Sequence, residues 1–240
     1  MHFTGDSTIG DIVAEDFRTA AVFQQFGIDF CCGGRHTLAE ACRERNADPE
    51  AVLAALTRSC SAAGTAPKFD AWSPETLIGY VVGTHHAYVR RALPTLLAHT
   101  RKLAAAHGTN HPELHEVMRL VEQVAGEMTS HMAKEEQILF PYIAEIAEAA
   151  DDGRAAPRAP FGSIDNPIAM MEREHEDAGA AMAEIRRLTG GYTVPADGCT
   201  TYRVTFRELE AFESDLHTHV HLENNILFPK ARRLAEGRRA

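Results

Sequence analysis

The sequence predicts an all-α protein, in which an up-down bundle of four long helices follows a small helical N-terminal domain. Three observations predict it. Apolar residues recur at helical period in four long stretches; the segment from His131 to Pro141, HMAKEEQILFP, returns from His219 to Pro229 as HVHLENNILFP; and no run shows the two-residue alternation of a half-buried strand. At 240 residues, with 45% hydrophobic and 24% charged residues, the chain can bury a core and does not read as disordered.

Residues 1–60 form the first unit, built of short helical segments. Thr8 or Asp11 can cap a first helix, and Ala20, Ala21, Val22, Phe23 and Phe26 give an apolar stripe that stops at Gly27. Next comes Ile28-Asp29-Phe30-Cys31-Cys32-Gly33-Gly34, where two glycines after two cysteines permit a tight turn. Thr37 caps a helix through Cys42. Asp48-Pro49-Glu50 opens another through Leu56, with aspartate as cap and proline in the first turn. Residues 61–72, SAAGTAPKFDAW, are small, Gly- and Pro-containing, and read as a linker.

The bundle spans 73–236. Ser73 caps its first helix and Pro74 takes the first helical position; Leu77, Val81 or Val82, His86, Val89, Leu93 and Leu96 then fall at helical period, and Pro94 can kink the pattern. A turn at Gly108–Pro112 leads to a second helix, with Leu114, Met118, Val121, Val124, Met128, His131, Glu135, Ile138 and Tyr142 on one face. A Gly-, Ala- and Pro-rich connection from Asp151 to Pro167 separates the halves. The third stripe is Ile168, Met171, His175, Ala178, Met182 and Ile185, stopped by Gly190-Gly191. The fourth helix runs from about Thr200 to Arg233, with Val204, Leu209, Phe212, Leu216, His219, Glu223 and Ile226 near one face.

What the two copies of the repeat share is chemical: a histidine, a glutamate four residues later, and Ile-Leu-Phe-Pro. Residues four apart on a helix lie one above the other with Cβ atoms roughly 5–6 Å apart, so His131 with Glu135, and His219 with Glu223, can each close on one metal centre. An inward histidine precedes each pair at nearly the same interval, His86 in the first half and His175 in the second. Four imidazoles and two carboxylates would then converge. Burying those carboxylates without a cation would cost several kcal/mol, and two carboxylates among nitrogen ligands allow bridging between two ions, as in the di-metal carboxylate sites of helical bundles.

The other histidines lack this support. His217 and His221 lie off the His219 face and are expected in solvent; His85 would replace His86 only if the register slipped by one. His2, His36, His99, His107, His111 and His115 have no ligand partner at useful spacing. Glu127, four residues before His131, and Glu174, beside His175, are either solvated charges or a proton relay next to the metals. Cys31 and Cys32 are too few for a tetrahedral zinc site. Rather than inert buried thiols, they read best as a reactive or metal-transferring pair on an exposed turn with a lowered thiol pKa.

A net charge of −10 argues against a nucleic-acid partner, and Arg232, Arg233, Arg238 and Arg239 offset the dipole of a last helix. No apolar run approaches the ~20 residues of a membrane span. An odd cysteine count without an export signal favours reduced thiols and a cytoplasmic location.

FCCGG in a small N-terminal domain, followed by His86, HMAKEEQILFP, REHEDAG and HVHLENNILFP, resembles the RIC (repair of iron centres) family, of YtfE/ScdA type. The resemblance covers nearly the whole chain, and the sequence keeps the family's pattern at each of these positions. It implies a hemerythrin-like four-helix bundle holding two non-haem iron ions. His86, His131, His175 and His219 would be terminal ligands and Glu135 and Glu223 bridges, with Glu127 and Glu174 as acidic positions beside the iron and Cys31 and Cys32 as the family's cysteine pair. It further implies repair of iron-sulfur proteins damaged by nitric oxide or oxidants, probed against two alternatives: a nitric oxide binding or reducing protein, and an oxygen sensor or carrier. Classical oxygen carriers of this fold use five histidines, one Glu and one Asp, which the four-histidine set does not match. The sequence neither requires nor excludes a homodimer.

Overall fold

The computed structural model of the protein describes residues 3–61 and 67–237. The expectations for His2, for Arg238 and Arg239, and for the 62–66 stretch of the linker lie outside the described residues. All regular elements among the described residues are helical; the one bridge, between Thr8 and Thr37, is isolated.

Short helices come first: α1 (Ile9–Glu15), α2 (Ala20–Gln25), α3 (Leu38–Arg45) and α4 (Pro49–Ser61). Their starts are encoded as expected. Thr8 accepts from the Asp11 N–H, and Thr37 forms a full capping box with Glu40. The Asp48 side chain accepts from the Glu50 N–H at 3.0 Å, and Gly27 takes φ +65° after α2. The remaining helices are α5 (Pro74–Tyr80), α6 (Ala87–His107), α7 (Glu113–Lys134), α8 (Phe140–Asp151), α9 (Asp165–Leu188), α10 (Thr200–His221) and α11 (Phe228–Ala235). Pro94 sits inside α6 without ending it. Gly190 and Gly191, both at positive φ, follow α9.

The chain divides into two compact units. One comprises residues up to Ile78, Ile143–Ile164 and the stretch from Thr218 onward; the other comprises Gly79–Tyr142 and Asp165–His217. In the first unit, Ile9, Ile12, Val13, Phe23, Phe30, Leu38, Val52 and Leu56 form a continuous core. Each such side chain contributes ~1.5–3 kcal/mol when fully buried. In the second unit α6 packs on α7 and α7 on α9. Leu93, Leu96, Val121, Val124, Met128, Ile168, Met171, Met182, Ile185, Leu209, Phe212 and Leu216 are buried, as the four apolar stripes require.

Three single wide turns, with hydrogen bonds from residue i+5 to i, interrupt the long helices at Val81–His86, Glu135–Leu139 and Leu222–Leu227. The Phe140 N–H bonds the Glu135 carbonyl, and the Phe228 N–H bonds the Glu223 carbonyl, each five residues back. The Ile-Leu-Phe-Pro repeat explains two of these turns. Pro141 and Pro229 have no N–H for the carbonyl four residues earlier, and their rings would crowd it in a regular helix; one extra residue in the turn relieves both.

The wide turns correct the helical-period reading. Ile138, expected on the inner face, is 50% exposed, while Leu139 and Phe140 are buried at 1% and 2%. The added residue rotates the face by one position. Val204, also expected inward, is 40% exposed because the regular period through Leu209 and Phe212 selects Thr205 and Phe206 instead.

Candidate metal centre

Each wide turn abuts a ligand-type residue: His86 closes the first, Glu135 opens the second, and Glu223 lies in the third. All six predicted ligands are at most 1% exposed. The Glu135 Oε2 lies 3.3 Å from His86 Nε2 and 3.2 Å from His131 Nε2. His131 Nε2 lies 3.0 Å from His175 Nε2, and His219 Nε2 lies 3.0 Å from Glu223 Oε1. Within the second unit these contacts join His86, Glu135, His131 and His175, and in the first unit His219 faces Glu223.

The outer nitrogens show why a cation fits. His86 Nδ1 lies 2.6 Å from Glu136 Oε1, and His131 Nδ1 lies 3.0 Å from Glu174 Oε2. An ionised carboxylate only accepts, so each imidazole carries its proton on Nδ1 and turns the Nε2 lone pair inward. His131 thus presents a lone pair to the His175 Nε2 beside a buried carboxylate, an arrangement that suits a shared positive ion. The outer carboxylates stay ionised. Burial pushes Glu136 up, but hydrogen bonds from His86 and Arg90 outweigh it and hold it below the usual carboxylate range. Glu174 is held low in the same sense, burial being outweighed by Lys134 and His131. Nitrogen and carboxylate donors with ordered outer partners, fully buried, define a metal site.

Of the ligand-type residues named from the sequence, the structure groups His86, His131, Glu135 and His175 in one unit and pairs His219 with Glu223 in the other. Glu174 reaches His131. Among the described residues Glu127 makes no hydrogen bond to a predicted ligand; it accepts from Gln123 at 3.0 Å. Glu136 was missed. Its signal was the Glu135-Glu136 doublet, against Glu223-Asn224 in the second copy. His85 is buried next to His86, but its Nδ1 lies 3.0 Å from Asp215. His221 corrects the expectation of solvent: it is 0% exposed, its ring 6.0 Å from Phe17 and 5.8 Å from Phe30, and burial pushes its pKa down to about 4.

The cysteine turn is also corrected. Cys31 is 4% exposed rather than open, and Asp29 Oδ1 accepts from the Cys31 N–H at 2.9 Å, the Cys32 N–H at 3.0 Å and the Cys31 thiol at 3.0 Å. The Cys32 thiol, burial and the Asp29 carboxylate push the Cys31 thiol up rather than down. The thiols and Asp29 nonetheless form a three-donor group within 4.8 Å.

Comparison with known proteins defines the class. Residues 78–231 match the Hemerythrin HHE cation binding domain, so this is a hemerythrin-type cation-binding protein whose metal-ligand helices lie inside that match. Residues 5–59 match ScdA_N, described as a domain of unknown function. The chain is 34% identical to the iron-sulfur cluster repair protein YtfE of Musicola paradisiaca, over 97% of this chain and 99% of that protein. It is 31% identical to YtfE of Pectobacterium atrosepticum, over 95% and 97%, and 30% identical to ScdA of Staphylococcus epidermidis, over 95% and 98%. The chain belongs to the YtfE/ScdA family of iron-sulfur cluster repair proteins. No helix among the described residues is long and apolar enough to cross a membrane.

Proposed function

We propose that this protein repairs iron-sulfur clusters through a centre of two iron ions, His86, His131, His175 and His219 serving as terminal ligands and Glu135 and Glu223 as bridges. The observation that supports it is six buried ligand-type residues: in one unit Glu135 Oε2 lies 3.3 Å from His86 Nε2 and 3.2 Å from His131 Nε2, with His175 Nε2 3.0 Å from His131, and in the other His219 Nε2 lies 3.0 Å from Glu223 Oε1. Bound iron would supply an exchangeable, redox-active cation. The protein's own groups then set how firmly it is held. Glu136 and Glu174 fix the protons of His86 and His131 on Nδ1 and keep both Nε2 atoms available. Arg90 donates to Glu136 at 2.6 Å and is half exposed, and Lys134 pairs with Glu174, so both outer carboxylates lead toward the surface. These chains give protons a route to the ligand imidazoles, which bind metal only when neutral.

Residues 1–60, with Cys31 and Cys32, are proposed as the module that passes iron onward to a damaged protein. The test is metal content in protein purified without air, followed by restoration of a nitric oxide-damaged iron-sulfur enzyme. Two irons per chain, with transfer to the enzyme and loss of iron as pH falls, are expected. One iron per chain would overturn the bridged centre; two irons with nitrous oxide production but no restoration would overturn donation in favour of nitric oxide reduction.

A further inference from the structure

The Cys31–Cys32 turn rests on one side chain. Asn225 Nδ2 donates to the Phe30 carbonyl at 3.2 Å and the Cys31 carbonyl at 3.1 Å. Its Oδ1 is closed in by two glycines: a Cβ on Gly34 would come within 2.2 Å of it, and one on Gly10 within 2.7 Å. The Gly10 N–H also donates to the Gly34 carbonyl at 2.8 Å, so the two glycines are tied to each other across the amide. One turn before Asn225, the His221 ring is buried between Phe17 and Phe30, its Nδ1 3.1 Å from Asn225 Nδ2. In the first copy of the repeat these two places are Ala133 and Gln137. The second copy alone therefore carries the residues that seat the turn, on either side of Glu223.

We propose that Asn225 is a positioning residue, holding the Cys31–Cys32 turn in fixed register on the helical stretch that carries Glu223. The role rests on the reading that the two thiols act in repair. A shorter side chain would remove a donor from both carbonyls and leave a gap under the turn; a methyl on Gly34 would displace the amide from the other side. Either change frees the turn to open, and opening is what exposes Cys31.

The test uses the full-length, iron-loaded protein as wild type, Asn225→Ala and Gly34→Ala. Each is alkylated with iodoacetamide across pH, and rates are read cysteine by cysteine by mass spectrometry. Exposed Cys199, whose thiol is lowered to about 7 by the Tyr202 N–H and His107, serves as the internal reference. Alkylation of Cys31 and Cys32 should rise roughly tenfold or more in both variants, the change expected when two hydrogen bonds are lost. Cys199 and the iron content should be unchanged and cluster repair should fall by a similar factor. Gly34→Ala keeps Asn225 and its chemistry, so it decides the matter if Asn225→Ala loads iron poorly. Unchanged alkylation of the pair in an iron-loaded variant would overturn the proposal. Full repair by a Cys31→Ala/Cys32→Ala protein would instead overturn the thiols' role and leave the seating of the turn standing.

Discussion

The proton on His86 is placed by Glu136, a residue that sequence reading passed over. The proposed ligand residues stood out because duplication displays them twice: a histidine and glutamate retained at the same spacing in both copies are hard to explain by packing alone. Glu136 was hidden because it has no counterpart in the second copy, where Asn224 stands. Carboxylates that orient ligating imidazoles commonly contribute 10–100-fold to metal affinity. Glu136→Gln should therefore weaken iron binding by roughly 10–100-fold while leaving the fold intact. Competition with a chelator of known affinity measures this, and an unchanged affinity would mean that the 2.6 Å contact does not orient the ring. His221 and Cys31 were misread for a shared reason. Each is covered by the other's neighbours, Phe30 and Asn225, and contacts between residues so far apart in sequence leave no periodic trace.

At the scale of elements, helix ends and caps were readable and the turn-widening residues were not. Thr8, Thr37, Asp48, Gly27 and Gly190-Gly191 act locally, so their residue types suffice. A wide turn keeps helical composition and changes only register, which is why Ile138 was placed inside. That register can be tested directly. Ile138→Lys should change stability by no more than about 0.5 kcal/mol, while Leu139→Ala should cost ~2–5 kcal/mol; denaturant unfolding of the two variants checks it, and the reverse order would restore a regular helix. A second element-level expectation concerns Asp16, buried at the turn after α1. Arg18 bonds its carboxylate at 2.6 Å, and these hydrogen bonds hold Asp16 below its ordinary 3.8. A depressed carboxyl pKa gives stability that is present above the unfolded pKa and lost as pH falls through the folded one. Asp16→Asn should thus destabilise by roughly 1–3 kcal/mol at pH 7. The difference from wild type should shrink as pH falls through the lowered pKa of the native carboxyl, which is then itself protonated; a difference that persisted in acid would locate the effect in packing instead.

On the scale of the whole molecule, the six proposed ligand donors come from four separate helical stretches, so that reading links folding to metal loading. Iron that binds only the native state at a hundred times its dissociation constant adds about 2.7 kcal/mol, or roughly 5–10 °C in Tm for a chain of this size. Calorimetry of iron-loaded protein before and after anaerobic chelation should show that fall. Equal transitions would mean the donors are preorganised without the ion's help. The overall architecture was the most legible level, because four apolar stripes and a duplicated motif constrain it many times over.

The residue inserted at each wide turn also fixes the length of the gene at that point. Deleting one codon between Gln137 and Leu139 would remove the extra residue and return a regular helix with Leu139 and Phe140 still on the buried face, but the ring of Pro141 would then press on the carbonyl one turn back. An inserted residue has no second wide turn to absorb it, and would swing Phe140, Ile143 and Ile146, now buried at 2%, 0% and 1%, by about 100° toward water. Single-residue insertions or deletions should therefore be tolerated in the Asp151–Pro167 connection and purged from the ILFP segments, which a deletion-scanning library can count.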